Sequence, residues 1–194
     1  SFTFVAPAEA VFRHGAIPVP VEIDNTYHFS PQAIEEAITD KTKAVLAVPM
    51  WAAVDYDAIL HICKENNLLF IEDSAQCLGG TYKGKSCGTF GCIGSFSFDM
   101  GKTLTTGEGG MVITDDKDLY DRISELSDHG HMHDQTVPRG SDPRREPGFN
   151  YRMSELTAVV GIAQLKKIDY ILSKSNENKY EIKNALQGTK GIEF

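Results

Sequence analysis

Three short apolar runs between residues 68 and 114 constrain the fold of this chain more than any other feature. They occupy residues 68–71, 93–98 and 111–114, and glycine or acidic residues bound them. Runs of this length and setting are typical of buried strands in an α/β sheet. The sequence therefore predicts three strands in this part of the chain.

Polar side chains follow two of these predicted strands. Asp73 and Gln76 come after the first strand, and Ser97 and Lys102 lie at or just after the end of the second. Ligands of open parallel sheets bind at the carboxyl ends of the strands. We therefore expect a carboxylate, an amide, a hydroxyl and an amine to meet at one ligand site.

The rest of the chain alternates between strand and helix patterns. Helices are predicted over residues 8–12, from 30 onward, over 55–66 and over 117–127, and strands over 1–5, 17–23 and 43–48. This order predicts an α/β fold, with a mainly parallel sheet covered by helices on both faces in a three-layer α/β/α arrangement.

The last third of the chain has a different character. Residues 129–150 hold three histidines, three arginines, three prolines and three glycines, which predicts a long functional loop. Residues 154–172 carry an apolar stripe at helical spacing and are expected to form one amphipathic helix, with more helix in 173–179. Residues 191–194 are typical of the start of a further strand.

The charge balance narrows the classes of partner. The chain has 27 acidic and 19 basic residues, a net charge of −8, which argues against nucleic acid and an anionic membrane surface as partners. No apolar run approaches the ~20 residues of a membrane span, and no signal peptide is visible. The four cysteines form no CxxC pair, so we expect packing residues in a reducing cytoplasm.

The chemistry of the predicted site centres on Lys102, which follows a strand rather than lying on a polar helix face. A lysine near a buried site can form a Schiff base with an aldehyde cofactor. For pyridoxal phosphate, Asp73 would keep the ring nitrogen protonated, and Gln76 would lie beside the ring oxygen. Ser97 would hold the phosphate together with backbone N–H groups.

Each of these residues also has an ordinary structural interpretation. Asp73 could cap the start of a helix, Ser97 could be a satisfied strand serine, and Lys102 could be a solvated loop lysine. From the residues alone, both interpretations stay open.

Two glycine-rich segments have their own interpretations. Residues 107–110 are most typical of a hairpin turn. The series Gly88, Gly91 and Gly94 precedes a strand and departs from the dinucleotide pattern GxGxxG, so it disfavours a nucleotide-dependent dehydrogenase.

Several segments together resemble the DegT/StrS-type nucleotide-sugar aminotransferases, which are pyridoxal phosphate enzymes of fold type I. The matching text is SFTFVA at 1–6, IEDSAQ at 71–76, SFSF at 95–98, Lys102, TTGEGG at 105–110 and NYRMSE at 150–155. The order and the spacing of these segments both agree with the family over essentially the whole chain.

The resemblance implies a role for each matching residue. Lys102 and Asp73 would be catalytic, and Gln76 and Ser97 would bind the cofactor with them. Asn150 would reach the cofactor phosphate of a neighbouring subunit, so a homodimer with shared active sites is expected. The family transfers an amino group from glutamate to a keto-sugar, for polysaccharide or secondary-metabolite synthesis.

The loop at 129–150 is expected to recognise an anionic substrate. The residues assigned to this role are His129, His131, Arg139 and Arg152, and a merely solvated basic loop is the alternative. No metal site is expected there, because the histidines lack a second pair of ligands. Asp99, where most family members have His, and residues 128–131 resemble the subgroup that aminates a Kdo-type octulosonic acid.

The resemblance also divides the chain. Residues 1–172 would be the cofactor-binding large domain without its N-terminal part, and residues 173–194 the start of a small C-terminal domain. A chain lacking those parts is expected to be inactive alone. Two alternatives to the aminotransferase remain: a sugar dehydratase of the same fold, in which His replaces the lysine, and a fragment without catalytic activity.

Overall fold

The structure is a computed structural model that describes residues 2–193. Its strands are β1 Ala44–Ala47, β2 Leu69–Asp73, β3 Thr81–Tyr82, β4 Lys85–Ser86, β5 Ile93–Ser97 and β6 Gly110–Ile113. Its α-helices are α1 Ala6–Arg13, α2 Pro31–Ala37, α3 Tyr56–Glu65, α4 Lys117–Ser127, α5 Glu155–Leu165 and α6 Ile168–Leu186. A 3-10 turn lies at Arg139–Ser141.

The main sheet has the strand order β1-β2-β5-β6. β1 pairs with β2 and β2 with β5 in parallel, whereas β6 pairs with β5 in antiparallel. β3 and β4 form a separate two-stranded hairpin. The predicted α/β class with a mainly parallel sheet is confirmed, and all three apolar runs are strands of this one sheet.

The core lies on one face of the sheet, against α2 and α3. Alternation places Phe70 and Glu72 of β2 on this face, next to Val45 and Ala47 of β1. Helix residues complete this core, among them Ile34, Tyr56, Ile59, Ile62 and Cys63. Asp73 therefore points to the opposite face of the sheet.

Side-chain caps set where several helices begin. Ser30 Oγ accepts a hydrogen bond from Ala33 N at 3.5 Å, with Pro31 at the first helical position, as the sequence predicted. Asp55 caps α3 in the same way through the N–H of Ala58 at 3.2 Å. Each cap satisfies an N–H group that has no partner within the helix.

Three predicted strands are wrong. Residues 2–5 lead directly into α1 and form no strand, while Ser1 lies outside the described residues. Residues 17–23 contribute only an isolated bridge between Ile23 and Phe29, since Pro18 and Pro20 cannot donate to a ladder. Residues 191–193 form no strand, with Gly191 at φ of +86°, and Phe194 lies outside the described residues.

The amphipathic segment 154–172 is two helices rather than one. α5 ends at Leu165, and α6 begins at Ile168 after Lys167, whose backbone leaves the helical region (φ −107°, ψ 0°). The apolar stripe of α5 is open to solvent, with Leu156 83% and Val159 63% exposed. α6 runs through 172–173 without a break, so a domain boundary there stays a prediction. No helix of residues 2–193 is long and apolar enough to cross a membrane.

Candidate active site

The predicted site lies where β2 and β5 end. Asp73 is paired with Ser95 across the two parallel strands, and Ser97 follows two residues later on the same face. Both strands therefore deliver a polar side chain to one edge of the sheet, on the face opposite the core. Asp73 and Ser97 thus lie on the same face of the sheet, and their part in one ligand site stays a prediction.

Asp73 shapes the turn that carries Gln76. Its Oδ1 accepts a hydrogen bond from Ala75 N at 3.1 Å, and Ser74 O accepts one from Cys77 N at 3.0 Å. The capping interpretation is thus partly right, although the capped element is a turn instead of a helix. Within residues 2–193, Asp73 Oδ2 and the half-buried Gln76 amide have no hydrogen-bond partner.

The lysine lies in a tight loop after β5. Lys102 N donates to Asp99 O at 3.1 Å, Gly101 N donates to Asp99 Oδ1 at 2.9 Å, and Asp99 N donates to Ser97 Oγ at 3.3 Å. Leu104 anchors the loop in the interior with 1% exposure. Lys102 is half-buried, and no hydrogen bond or ion pair joins its amine to another described residue. Asp99 therefore orders the backbone between Ser97 and Lys102.

The segment 107–110 closes the connection between β5 and β6. Phe98 N donates to Gly109 O at 2.8 Å, and Thr106 N donates back to Phe98 O at 2.9 Å. Gly107 has φ of +83° and Gly109 of +154°, which only glycine adopts freely. β5 and β6 are antiparallel neighbours as a hairpin requires, but their connection runs over residues 98–109, so residues 107–110 are its last part and not a tight turn by themselves.

Asp128 holds the start of the long loop through two arginines. Its Oδ1 accepts a hydrogen bond from Arg139 Nη2 at 2.6 Å and another from Arg152 Nη1. The hydrogen bond from Arg139, followed by that from Arg152, outweighs desolvation and holds the pKa of the Asp128 carboxyl well below its usual range. Two of the predicted substrate residues, Arg139 and Arg152, are thus tied to an internal carboxylate and keep 59% and 42% of their side chains exposed.

The predicted histidines differ in position. His131 is buried, with Nδ1 3.0 Å from Asp142 Oδ2 and Nε2 3.0 Å from Arg144 Nη2, so both ring nitrogens are engaged inside the loop. His129 is exposed and has a left-handed φ of +57°. The substrate role of these residues stays a prediction, and the geometry of His131 favours a role in shaping the loop.

Asn150 forms no hydrogen bond with the described residues at the ends of β2 and β5. It forms an antiparallel bridge with Asp128 and is exposed. Its neighbours Phe149 and Tyr151 stack on each other with ring centroids 5.0 Å apart. An exposed Asn flanked in sequence by two exposed aromatic residues is consistent with the predicted contact to a second subunit, which stays a prediction.

Sequence reasoning overlooked Glu72, which is fully buried beside Asp73. Its Oε1 accepts from Phe90 N at 2.6 Å and Gly91 N at 2.7 Å, and its Oε2 accepts from Tyr56 Oη at 2.8 Å and Gly88 N at 2.7 Å. Burial, ahead of the hydrogen bonds to Cys87 and Glu72, raises the pKa of the Tyr56 hydroxyl far above its usual value. The sequence did contain a signal for this buried carboxylate: an acidic residue within an apolar strand, with a series of glycines further along the chain.

The side chains at this edge fit the groups of pyridoxal phosphate. An amine, a carboxylate oxygen and an amide are all without partners among residues 2–193, and they match an aldehyde, a pyridine nitrogen and a ring hydroxyl. Among the same residues, no three His, Cys, Asp or Glu side chains cluster as metal ligands do.

The fold and this set of side chains define the class, an α/β domain of the aminotransferase type. A solved structure of PseC, an aminotransferase from Helicobacter pylori involved in pseudaminic acid biosynthesis, matches with a TM-score of 0.92 and 29% identity, over 97% of this chain and 50% of that chain. E. coli GDP-4-keto-6-deoxy-D-mannose-3-dehydratase with bound hydrated PLP matches with a TM-score of 0.78 and 29% identity, over 87% and 47%.

The chain belongs to the DegT/DnrJ/EryC1/StrS aminotransferase family, whose model matches residues 1–194. GDP-perosamine synthase from Escherichia coli O157:H7 is 40% identical over 185 residues, which cover 91% of this chain and 48% of that protein. The chain thus spans about half the length of the curated relatives it matches.

Proposed function

We propose that this chain is the cofactor-binding part of a pyridoxal phosphate-dependent sugar aminotransferase. The reaction would move an amino group from glutamate to a keto-sugar, either nucleotide-linked or Kdo-type, in the cytoplasm, for cell-surface polysaccharide or secondary-metabolite sugars. Family membership supports the reaction class, and perosamine synthase and PseC support a sugar acceptor. The substrate, the partner subunit and the location are part of the proposal.

One observation carries this proposal. Two adjacent parallel strands deliver Asp73 and Ser97 to one edge of the sheet, and the loop after the second strand brings Lys102, whose amine has no partner within residues 2–193. A carboxylate oxygen and an amine that both lack a partner among the described residues are suited to a ligand that takes both.

Each residue has a distinct task in the proposed site. When bound, pyridoxal phosphate supplies an aldehyde that links to amines and a ring that withdraws electrons. Lys102 would hold the cofactor covalently and carry protons to and from the reacting carbon. Asp73 would keep the ring nitrogen protonated through its opposite charge. Gln76 would orient the ring hydroxyl, and Ser97 would bind the phosphate.

Asn150 completes the proposed site from a second subunit. Its exposure and its place between two exposed aromatic residues support a contact outside its own chain. The exposed apolar stripe of α5 that follows it in sequence is a further surface that a second subunit would cover. The proposed assembly is a homodimer whose two sites each use residues of both chains.

Lys102→Ala tests this function. The holo protein should absorb visible light, and borohydride should fix the cofactor mass on the peptide that contains Lys102. Lys102→Ala should lose both signals and at least about a hundredfold in turnover, the order of a lost acid–base group. Lys43→Ala is the matched control, because Lys43 is an exposed lysine before β1. Cofactor mass on Lys43 or Lys117 instead would rule out this assignment.

A sugar dehydratase is the second candidate, because one such enzyme has a similar fold. Lys102 argues against it, since the resemblance implies that the dehydratases carry His at this position. A non-catalytic role for these 194 residues alone is compatible with the proposal, because the chain covers half of its relatives. Amino transfer from glutamate to a keto-sugar, measured against sugar dehydration with the same protein, distinguishes the first two candidates.

A further inference from the structure

The glycine series at 88–94 forms an internal cradle for the Glu72 carboxylate. Three backbone N–H groups, from Gly88, Phe90 and Gly91, converge on its two oxygens at 2.6–2.7 Å. Tyr56 adds a fourth donor at 2.8 Å. A fully buried carboxylate is costly unless donors satisfy it, and here all four interactions are made within the protein.

The glycines are required by how closely the backbone packs around this carboxylate. A Cβ atom at Gly94 would lie 1.9 Å from Gly88 O, and one at Gly91 would lie 2.5 Å from Phe70 O. Gly88 has φ of +87°, where side chains are disfavoured. The glycine series at 88–94 does not match the dinucleotide motif. Its glycines instead let the backbone come close enough for its N–H groups to donate hydrogen bonds to Glu72.

The cradle acts on the residue that precedes Asp73. Glu72 is paired with Gly94, and Asp73 with Ser95, so the end of β2 is fixed by the Glu72 side chain on the core face and by backbone pairing with β5. Ser74 N also donates to Ser95 O at 2.8 Å. Because successive strand residues point to opposite faces, holding Glu72 in the core determines where the Asp73 carboxylate lies on the site face.

We propose that Glu72 is a positioning residue, which fixes the Asp73 carboxylate through the glycine cradle on the other face of the sheet. The importance of this for catalysis rests on the proposed role of Asp73 toward the ring nitrogen. The side chain of Glu72 lies on the core face, and only its backbone oxygen contacts the site face, where it accepts a hydrogen bond from Ser95 Oγ at 3.4 Å. Glu72 acts on Asp73 through the peptide bond that joins them, and four hydrogen bonds hold the Glu72 carboxylate in place.

Glu72→Gln tests the proposal with little change in volume. The amide would place an NH₂ group against at least one backbone N–H, so the cradle loses a bond and gains a repulsion. Tyr56→Phe is the milder variant, since it removes one donor and keeps the ring stacked on Phe90 at 3.9 Å. Glu125→Gln is the matched control, because Glu125 is also a buried glutamate but lies on α4.

The first measurement is hydrogen exchange at the Ala75 amide in the chain without cofactor. This N–H donates to Asp73 Oδ1, so its protection reports directly on the position of that carboxylate. Glu72→Gln should reduce the protection about tenfold or more, on the order of a lost 1.4 kcal/mol hydrogen bond, and Tyr56→Phe less. Unchanged protection, or an equal loss in Glu125→Gln, would overturn the proposal.

The second measurement is the ¹⁵N shift of the ring nitrogen in labelled pyridoxal phosphate bound to the holo protein. We expect this nitrogen to stay protonated between about pH 6 and pH 9 in the wild type and in Glu125→Gln, and to titrate within that range in Glu72→Gln. An unchanged shift in Glu72→Gln alongside reduced Ala75 protection would overturn the catalytic part. A wild type that binds no cofactor would refute the proposed function, and the exchange result would still decide whether Glu72 positions Asp73.

Discussion

At the scale of single residues, buried carboxylates organise this molecule more than its cations do. Glu72, Asp128 and Asp142 are each buried, and their carboxylates accept four, two and three hydrogen bonds respectively. Asp128 gathers Arg139 and Arg152, and Asp142 gathers His131 with two backbone N–H groups. Charge-assisted bonds of this kind are stronger than neutral ones, so each carboxylate fixes a loop that has no regular structure.

Asp128→Asn should therefore destabilise the protein. The pKa of Asp128 is depressed in the folded chain, so its contribution is present above the unfolded value of about 3.9 and is lost as the pH falls through the lower folded value. We expect a loss of roughly 1–2 kcal/mol at pH 7, because the two arginines keep contact with water. Urea unfolding of wild type and variant from neutral pH to below about pH 3 measures it.

The control for this prediction is Asp115→Asn, which changes an exposed carboxylate just before α4. Its unfolding free energy should match the wild type within about 0.5 kcal/mol at every pH. The free energies of unfolding of wild type and Asp128→Asn should become more alike as the pH falls below about pH 3. A difference that is the same there as at neutral pH would contradict the ionic explanation and indicate a packing effect instead.

At the scale of elements, close backbone approach decides the geometry between β2, β5 and the cradle segment. Gly94 lies in β5, and a side chain there has no room because Gly88 O occupies the position of its Cβ. The obstacle is a backbone oxygen and not the end of a flexible side chain. An added Cβ at Gly94 could therefore be accommodated only by moving the backbone of the cradle or of β5. The strand pairing that positions Ser97 thus depends on a residue with no functional group.

Gly94→Ala should be strongly destabilising for this reason. Overpacking usually costs about 1–3 kcal/mol, and we expect this substitution to reach or exceed the upper value because backbone is the obstacle. Gly140→Ala is the matched control, since nothing lies within 4 Å of its Cβ position. Thermal and urea unfolding of both variants compare the two sites. Equal stability of Gly94→Ala and Gly140→Ala would show that the cradle tolerates widening.

At the scale of the whole molecule, a large apolar surface on α5 and beside Asn150 has no partner among the described residues. Leu156, Val159, Phe149 and Tyr151 are all more than half exposed. Exposed patches of this kind mark interaction surfaces. Their position next to Asn150 favours the proposed dimer in which each site takes residues from two chains.

Mixed dimers test this arrangement in the full-length protein. Dimers of one Lys102→Ala subunit and one Asn150→Ala subunit should recover turnover, because one of their two sites combines an intact Lys102 with an intact Asn150 from the other chain. Each homodimeric variant alone should be nearly inactive. Turnover by purified heterodimers is the measurement.

A heterodimer of wild type and the double variant Lys102→Ala with Asn150→Ala is the matching control. If the sites are shared, both of its sites lack one group and the heterodimer should be inactive. If Asn150 serves its own subunit, the wild-type subunit should remain active, and that result would contradict the proposed assembly.

The sequence by itself determined the strands that carry chemistry. The runs at β1, β2, β5 and β6 were predictable, because burial and turn chemistry act locally and leave a pattern in the residues. The roles of Asp73, Ser97 and Lys102 at the ends of two of these strands stay predictions. The caps at Ser30 and Asp55 were predictable for the same reason. Patterns failed at residues 2–5, 17–23 and 191–193, which form no strand in the structure.

Only the tertiary structure decided which polar groups satisfy one another. Nothing in the spacing of Glu72 and Gly88 shows that a carboxylate on one strand collects the N–H groups of a loop sixteen residues away. The same holds for Asp128, whose arginine partners lie 11 and 24 residues further along the chain. The physical reason is that a buried charge selects donors by position in space, and sequence patterns record burial and local geometry but not such distant pairings.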